Sequence, residues 1–163
     1  MWANGDRYEG EYRDGEEHGR GVWVGANGNR YEGDYKDGKE HGRGVYVWAS
    51  GDRYEGEFRD GKFHGRGVSV FANRGRYEGD WKDGKEHGRG VYVWGHDTKW
   101  AGDRYKGDWK EGKQHGRGAI TFANGYECEG DWREDKLMGT GEGWVNGQPK
   151  KCYVAGNTIK FVD

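Results

Sequence analysis

Tyr31-Glu32-Gly33-Asp34-Tyr35-Lys36-Asp37-Gly38-Lys39-Glu40-His41-Gly42-Arg43-Gly44-Val45-Tyr46-Val47-Trp48 is the stretch from which the fold can be read. Its first half alternates Tyr31, Gly33 and Tyr35 with Glu32, Asp34 and Lys36, the period of two of a strand with one aromatic-glycine face and one charged face. Asp37-Gly38 is a favoured two-residue hairpin signal. The second half resumes the alternation, with Gly42, Gly44, Tyr46 and Trp48 on one side and His41, Arg43, Val45 and Val47 on the other. Ala49-Ser50-Gly51-Asp52 then turns the chain back. The rings are expected to lie over glycines of adjacent strands, where a missing side chain leaves room for a flat ring against the backbone. Across the other face Glu32 and Asp34 are expected to meet Arg43 and His41, each pair worth about 1 kcal/mol or less.

The same phrase recurs along nearly the whole chain. Tyr8, Tyr31, Tyr54, Tyr77 and Tyr105 open copies, and Cys128 opens a degraded sixth, at spacings of 23, 23, 23, 28 and 23 residues. The one irregular interval holds a five-residue insertion between Trp94 and Tyr105. A period in this range marks an array whose units complete their apolar faces by stacking on neighbours. The expected organisation is a single array with repeats at 8–30, 31–53, 54–76, 77–104, 105–127 and 128–150. Residues 1–7 match the end of a repeat whose beginning is absent, which suggests a fragment of a longer array or a covered first edge. Residues 151–163 read as a capping hairpin, with Cys152-Tyr153-Val154 and Thr158 to Val162 flanking Ala155-Gly156-Asn157. The fold class is therefore all-β, an elongated single-layer antiparallel meander of repeated β-hairpins forming a solenoid-like ribbon.

Composition agrees. Among 163 residues there are one Leu (Leu137) and two Ile (Ile120, Ile159), against nine Trp, eleven Tyr and five Phe, so burial must come from rings. Each ring can remove roughly 150–250 Å² from water. The 34 glycines stand at fixed offsets from the aromatics, which sets them apart from a low-complexity tract. Charge is dense but balanced, 27 basic against 29 acidic side chains, with no window of one sign to attract nucleic acid or anionic lipid. No apolar run is long enough to span a bilayer, no secretory leader follows Met1, and there is no N-x-S/T acceptor. Cys128 and Cys152 are too few for a disulfide framework and read as free thiols in a reducing, cytoplasmic compartment.

The phrase Y-E-G-D-[YW]-K-D-G-K-x-H-G-R-G-V-Y-V-W closely resembles the MORN repeat (membrane occupation and recognition nexus), from about Tyr8 to Lys150. The resemblance implies a twisted, single-layer sheet of successive hairpins without enzymatic activity. Similar arrays occur in junctional and cytoskeletal scaffolds, in ciliary radial-spoke proteins, and as accessory segments of lipid kinases, exchange factors and one class of methyltransferase. The sixth copy departs from the pattern: Cys128 replaces the opening Tyr, Glu134-Asp135 replaces D-G, and Met138-Gly139-Thr140-Gly141 replaces H-G-R-G.

Catalysis, a cofactor or a metal site is not expected. His18, His41, His64, His87 and His115 recur once per hairpin, roughly 10 Å apart at about 4.8 Å per strand, too far for ligands of one ion, and are expected to form a ladder of cross-strand polar pairs. The carboxylates recur under repeated conditions rather than in one distinctive environment. No nucleophile motif is present, and G-R-G lacks the context of a phosphate loop. The expected role is a non-catalytic protein–protein interaction or scaffold module of a cytoskeletal, ciliary or membrane-associated assembly. A partner segment, extended or helical, would bind along an aromatic groove formed by Tyr12, Tyr35, Phe58, Trp81, Trp109 and Trp132, with Trp23, Tyr46 and Tyr92 from the second strands. Trp100, in the inserted Gly95 to Gly102 segment, is either a contact residue or a cover for the sheet. Self-association through strand edges is a further possibility. The alternatives are peripheral binding to anionic phospholipid through Arg13, Lys36, Arg59, Lys82 and Lys110, and a regulatory segment of a larger enzyme. Nucleic acid is not an expected partner.

Overall fold

The computed structural model describes residues 2–162, and it bears out the all-β reading: the described residues contain strands and turns and no helix. Each of the first five copies gives one hairpin. These are β1 (Arg7–Arg13) with β2 (Glu16–Val24), β3 (Arg30–Lys36) with β4 (Lys39–Val47), β5 (Arg53–Arg59) with β6 (Lys62–Phe71), β7 (Gly75–Lys82) with β8 (Lys85–Trp94), and β9 (Arg104–Lys110) with β10 (Lys113–Thr121). The sixth copy supplies β11 (Glu127–Arg133), the two-residue β12 (Lys136–Leu137) and β13 (Gly141–Val145), followed by β14 (Gln148–Ala155) and β15 (Thr158–Val162). The strands form an open antiparallel sheet in chain order, with β12 off the main path and paired only to β11. The chain divides into two compact units, Met1–Ala72 with Trp81–Lys85, and Asn73–Asp80 with Glu86–Asp163.

The Asp-Gly turns behave as the sequence demands. Lys36 and Lys39 are paired across two residues, Asp37 and Gly38, with φ of 51° and 76°. Positive φ at both central positions is the type I′ geometry whose twist matches that of the flanking strands. An Asn146-Gly147 turn of the same kind joins β13 to β14. The hairpin of β14 and β15 closes as expected around Gly156 and Asn157.

The glycine reading also holds. A methyl group built on Gly44 would stand 2.4 Å from the Tyr31 hydroxyl, and one on Gly33 would stand 2.5 Å from it. The opening tyrosines Tyr31, Tyr54, Tyr77 and Tyr105 are fully buried, and each donates its hydroxyl to the carbonyl of the residue three positions on, as Tyr31 does to Asp34 at 2.8 Å. Burial holds the phenol protonated, pushing the pKa of Tyr31, Tyr54 and Tyr105 well above the ordinary value.

Three expectations need correction. Within a hairpin the register slips: Gly33 pairs with Gly44 but Tyr35 pairs with Glu40, so that β4 bulges against β3 while remaining regular against β5. The bulge carries Gly42 at φ +61°, and the Asp34 carboxylate accepts the Arg43 N–H there at 3.0 Å. Consequently Asp34 pairs with Arg20 of the preceding hairpin at 3.3 Å, and Glu32 pairs with Arg30 on its own strand, rather than with Arg43 and His41. The histidine ladder does not form either: the Nδ1 atoms of His18, His41, His64 and His87 are buried without a hydrogen-bond partner among the described residues. Even where the register sets His64 opposite Glu57, its Nδ1 finds no partner.

The third correction concerns the cysteines. Cys128 and Cys152 are not free thiols but a fully buried disulfide with Cα atoms 6.0 Å apart, tying β11 to β14. Where five copies place a tyrosine ring, the sixth places this bridge and the Leu137 side chain, which lies 2.6 Å from a methyl group built on Gly130. The thiol argument for a reducing compartment therefore falls away.

Candidate functional site

Each unit owes its core to a herringbone of rings. In the first, Tyr35 stands edge-on to Tyr8 and Tyr31, Phe58 to Tyr31 and Tyr54, and Trp81 to Tyr54, with centroids 5.0–5.4 Å apart. In the second, Trp109 stands edge-on to Tyr77 and Tyr105, and Trp132 to Tyr105, at 5.2–5.3 Å. Edge-to-face pairs at this spacing are worth about 0.5–1.5 kcal/mol beyond their buried area. The three indoles also donate Nε1–H to glycine carbonyls, Trp81 to Gly67, Trp109 to Gly90 and Trp132 to Gly118. These groove candidates are therefore core: Tyr35, Phe58, Trp81, Trp109 and Trp132 are each less than a tenth exposed.

The remaining candidates lie nearer the surface. Trp23, Tyr46 and Tyr92 are half-buried, and Trp23 stacks on Tyr46 with centroids 6.4 Å apart. Tyr12 is 57% exposed and Trp100 is 37% exposed. The Trp100 ring lies 6.3 Å from Trp94, and about a third of its surface stays open. The Lys99 ammonium sits 4.4 Å from the Trp100 ring centroid.

These tryptophans wall a cavity of about 380 Å³ in the second unit. Trp94, Trp100, Trp109 and Trp132 contribute indoles, with Tyr92, Ile120 and Val154 adding apolar surface. Three polar side chains enter it: Glu86, Gln114 and Asp135. Burial raises the Glu86 pKa above the usual carboxylate value, and the nearby charge of Asp135 pushes the same way. Gln114 is buried, its N–H bonded to the Asp135 carboxylate at 2.8 Å. Asp135 occupies a turn position that is glycine in the other five copies, at φ 65°.

Sequence reasoning missed Glu86, Gln114 and Asp135, although a signal for the first two was present. Alternation placed Gly42, Gly44, Tyr46 and Trp48 on the aromatic face, and the same parity puts Glu40 there, with its counterparts Glu86 and Gln114. Their polarity suggested the opposite face. Among the described residues, no three His, Cys, Asp or Glu side chains gather as a metal site.

The outer face is a lattice of exposed ion pairs, such as Arg89 with Asp108 and Arg117 with Glu129, worth little individually. The hairpin ends are different. Lys36 pairs with Lys39, Arg59 with Lys62, Lys110 with Lys113 and Arg133 with Lys136, all exposed, so cations stand side by side at these four turns, although Lys113 also meets the Glu134 carboxylate.

Comparison with known proteins agrees with the repeat geometry. The MORN repeat model matches residues 8–30, 31–53, 54–76, 77–95, 105–125 and 128–142, so that the Trp100 segment falls between the fourth and fifth matches. No curated protein matches the sequence.

Proposed function

The chain belongs to the MORN-repeat family, and from that premise we propose that it is a non-catalytic scaffold module that holds a segment of a protein partner against its aromatic face. MORN repeats serve as protein-interaction or membrane-binding modules, and the family is generally non-catalytic. The observation that carries the reading is the indole-walled cavity of about 380 Å³, with Trp100 left part-exposed at its rim. A cavity of that size with apolar walls and a few polar groups is the ordinary form of a recognition site. A rigid sheet also lowers the ordering cost of binding. The assembly in view is cytoskeletal, ciliary or membrane-associated and cytoplasmic, by the company such arrays keep rather than by cysteine chemistry.

The experiment is capture of a partner by wild-type protein and by Trp100→Ala and Trp94→Ala, with folding checked by circular dichroism. Loss of capture by folded variants is the expected result; capture that survives both sends the search to another surface. Trp81 and Trp109 are unsuitable probes, because truncating such core rings costs about 3–5 kcal/mol of folding energy.

A second reading is favoured by the paired cations at the hairpin ends: docking on anionic phospholipid. Each cation near an acidic membrane is worth about 1 kcal/mol, offset by neighbouring turn carboxylates such as Asp37 and Asp60. Salt-sensitive sedimentation with acidic but not neutral liposomes, abolished by Lys36→Glu with Arg59→Glu, would replace the first reading by this one.

A further inference from the structure

Two carboxylates, Glu86 and Asp135, line the tryptophan cavity. On the outer face acids such as Glu32, Asp34, Asp108 and Glu129 have an arginine beside them. Glu86 and Asp135 form no ion pair with another described residue, though both line an apolar cavity. Asp135 spends a hydrogen bond on the Gln114 N–H and holds a left-handed backbone to be there. Glu86 is part-buried there and Asp135 stands exposed at the cavity's edge, and a carboxylate drawn out of water is costly unless a cation joins it. The walls suit a cation as well, since indole is the best aromatic face for one, and Lys99 already uses Trp100 in this way although it is not part of the cavity lining.

A guanidinium meets these conditions better than an ammonium. It is planar and weakly hydrated, stacks on an indole, and forks its donors onto carboxylates. We propose that the cavity receives an arginine side chain of the partner segment, its guanidinium lying against the indoles of Trp94 and Trp100 and pairing with the carboxylates of Glu86 and Asp135. The proposal rests on the reading of the aromatic face as a partner groove and names the chemistry recognised there.

The test uses three blocked tripeptides, Leu-Arg-Leu, Leu-Lys-Leu and Leu-citrulline-Leu, titrated into the whole chain while the tryptophan indole N–H resonances are followed by NMR. The arginine peptide is expected to shift the Trp94 and Trp100 resonances saturably, with citrulline, equal in shape but uncharged, binding at least tenfold more weakly. Glu86→Gln and Asp135→Asn should each weaken the arginine peptide several-fold without unfolding the protein, since a glutamine already fills the Glu86 position in the next copy. Equal binding of the citrulline peptide would overturn the arginine assignment while leaving an apolar groove in place. Tighter binding of the lysine peptide, or no movement of these resonances with any of the three, would also overturn it. The groove reading is judged separately, by whether Trp100→Ala loses the partner.

Discussion

Gly44 and Tyr31 show how much one position carries. The hydroxyl of Tyr31 lies where a Gly44 side chain would start, so Gly44→Ala must push the ring off the strand or the strand off its neighbour. Overpacking of this kind costs about 1–3 kcal/mol, and urea unfolding should show the midpoint lowered accordingly, with the slope unchanged. Glu86 sets a pH-dependent term of known sign. Its pKa is raised in the folded state, so the protonated acid is the form the fold prefers; the stability it contributes is present below the ordinary Glu range and lost as pH rises through the raised value. Glu86→Gln should therefore melt at a higher temperature than wild type at pH 7, and the gap should close as the pH falls below that range. Thermal melts of both proteins across that interval decide it. The tyrosine-glycine pairing was legible, because alternation alone placed both on one face. The role of Glu86 was hidden, because its polarity argued against the face that its parity assigned.

At the scale of the element, the hairpin turns were legible and the bulges were not. Asp-Gly encodes a turn locally, through two residues that tolerate positive φ. The slip between Gly33 and Tyr35 depends instead on what the neighbouring strand offers: the side chain of Asp34 must reach the Arg43 N–H before the bulge is satisfied. Asp108 does the same for Arg117. Asp108→Ala should leave that N–H without its acceptor and destabilise by about 1–2 kcal/mol, whereas Asp108→Asn, which keeps an oxygen there, should recover most of the loss. Paired denaturation curves check both. The Asn146-Gly147 turn carries the same local signal, but it went unread inside the degraded sixth copy.

For the whole molecule, the decisive departure from the sequence reading is the disulfide. Two cysteines in an irregular C-terminal stretch carry no signal of proximity, and only the placement of β14 beside β13 brings Cys152 to Cys128. Closing a loop over a separation of 24 residues stabilises by about 3 kcal/mol in the chain-entropy view. Reduction, or Cys152→Ser, should lower the melting temperature by several degrees while leaving amide exchange in β3 and β4 of the first unit little changed. Exchange that rose equally in those strands would mean that the two units unfold as one.

The first unit also has seams that match. Gly38 N–H bonds to the Glu17 carbonyl as Gly61 N–H does to that of Glu40, and Asp6, Asn29 and Asp52 each hold the amide of an alanine twenty residues on. Within this unit a copy thus asks of its neighbour what the other copies there supply. Recombination that adds or drops one in-frame unit of the gene would splice chain to chain at an equivalent joint, which makes copy number a quantity that inheritance can adjust without rewriting the rules by which the polypeptide folds.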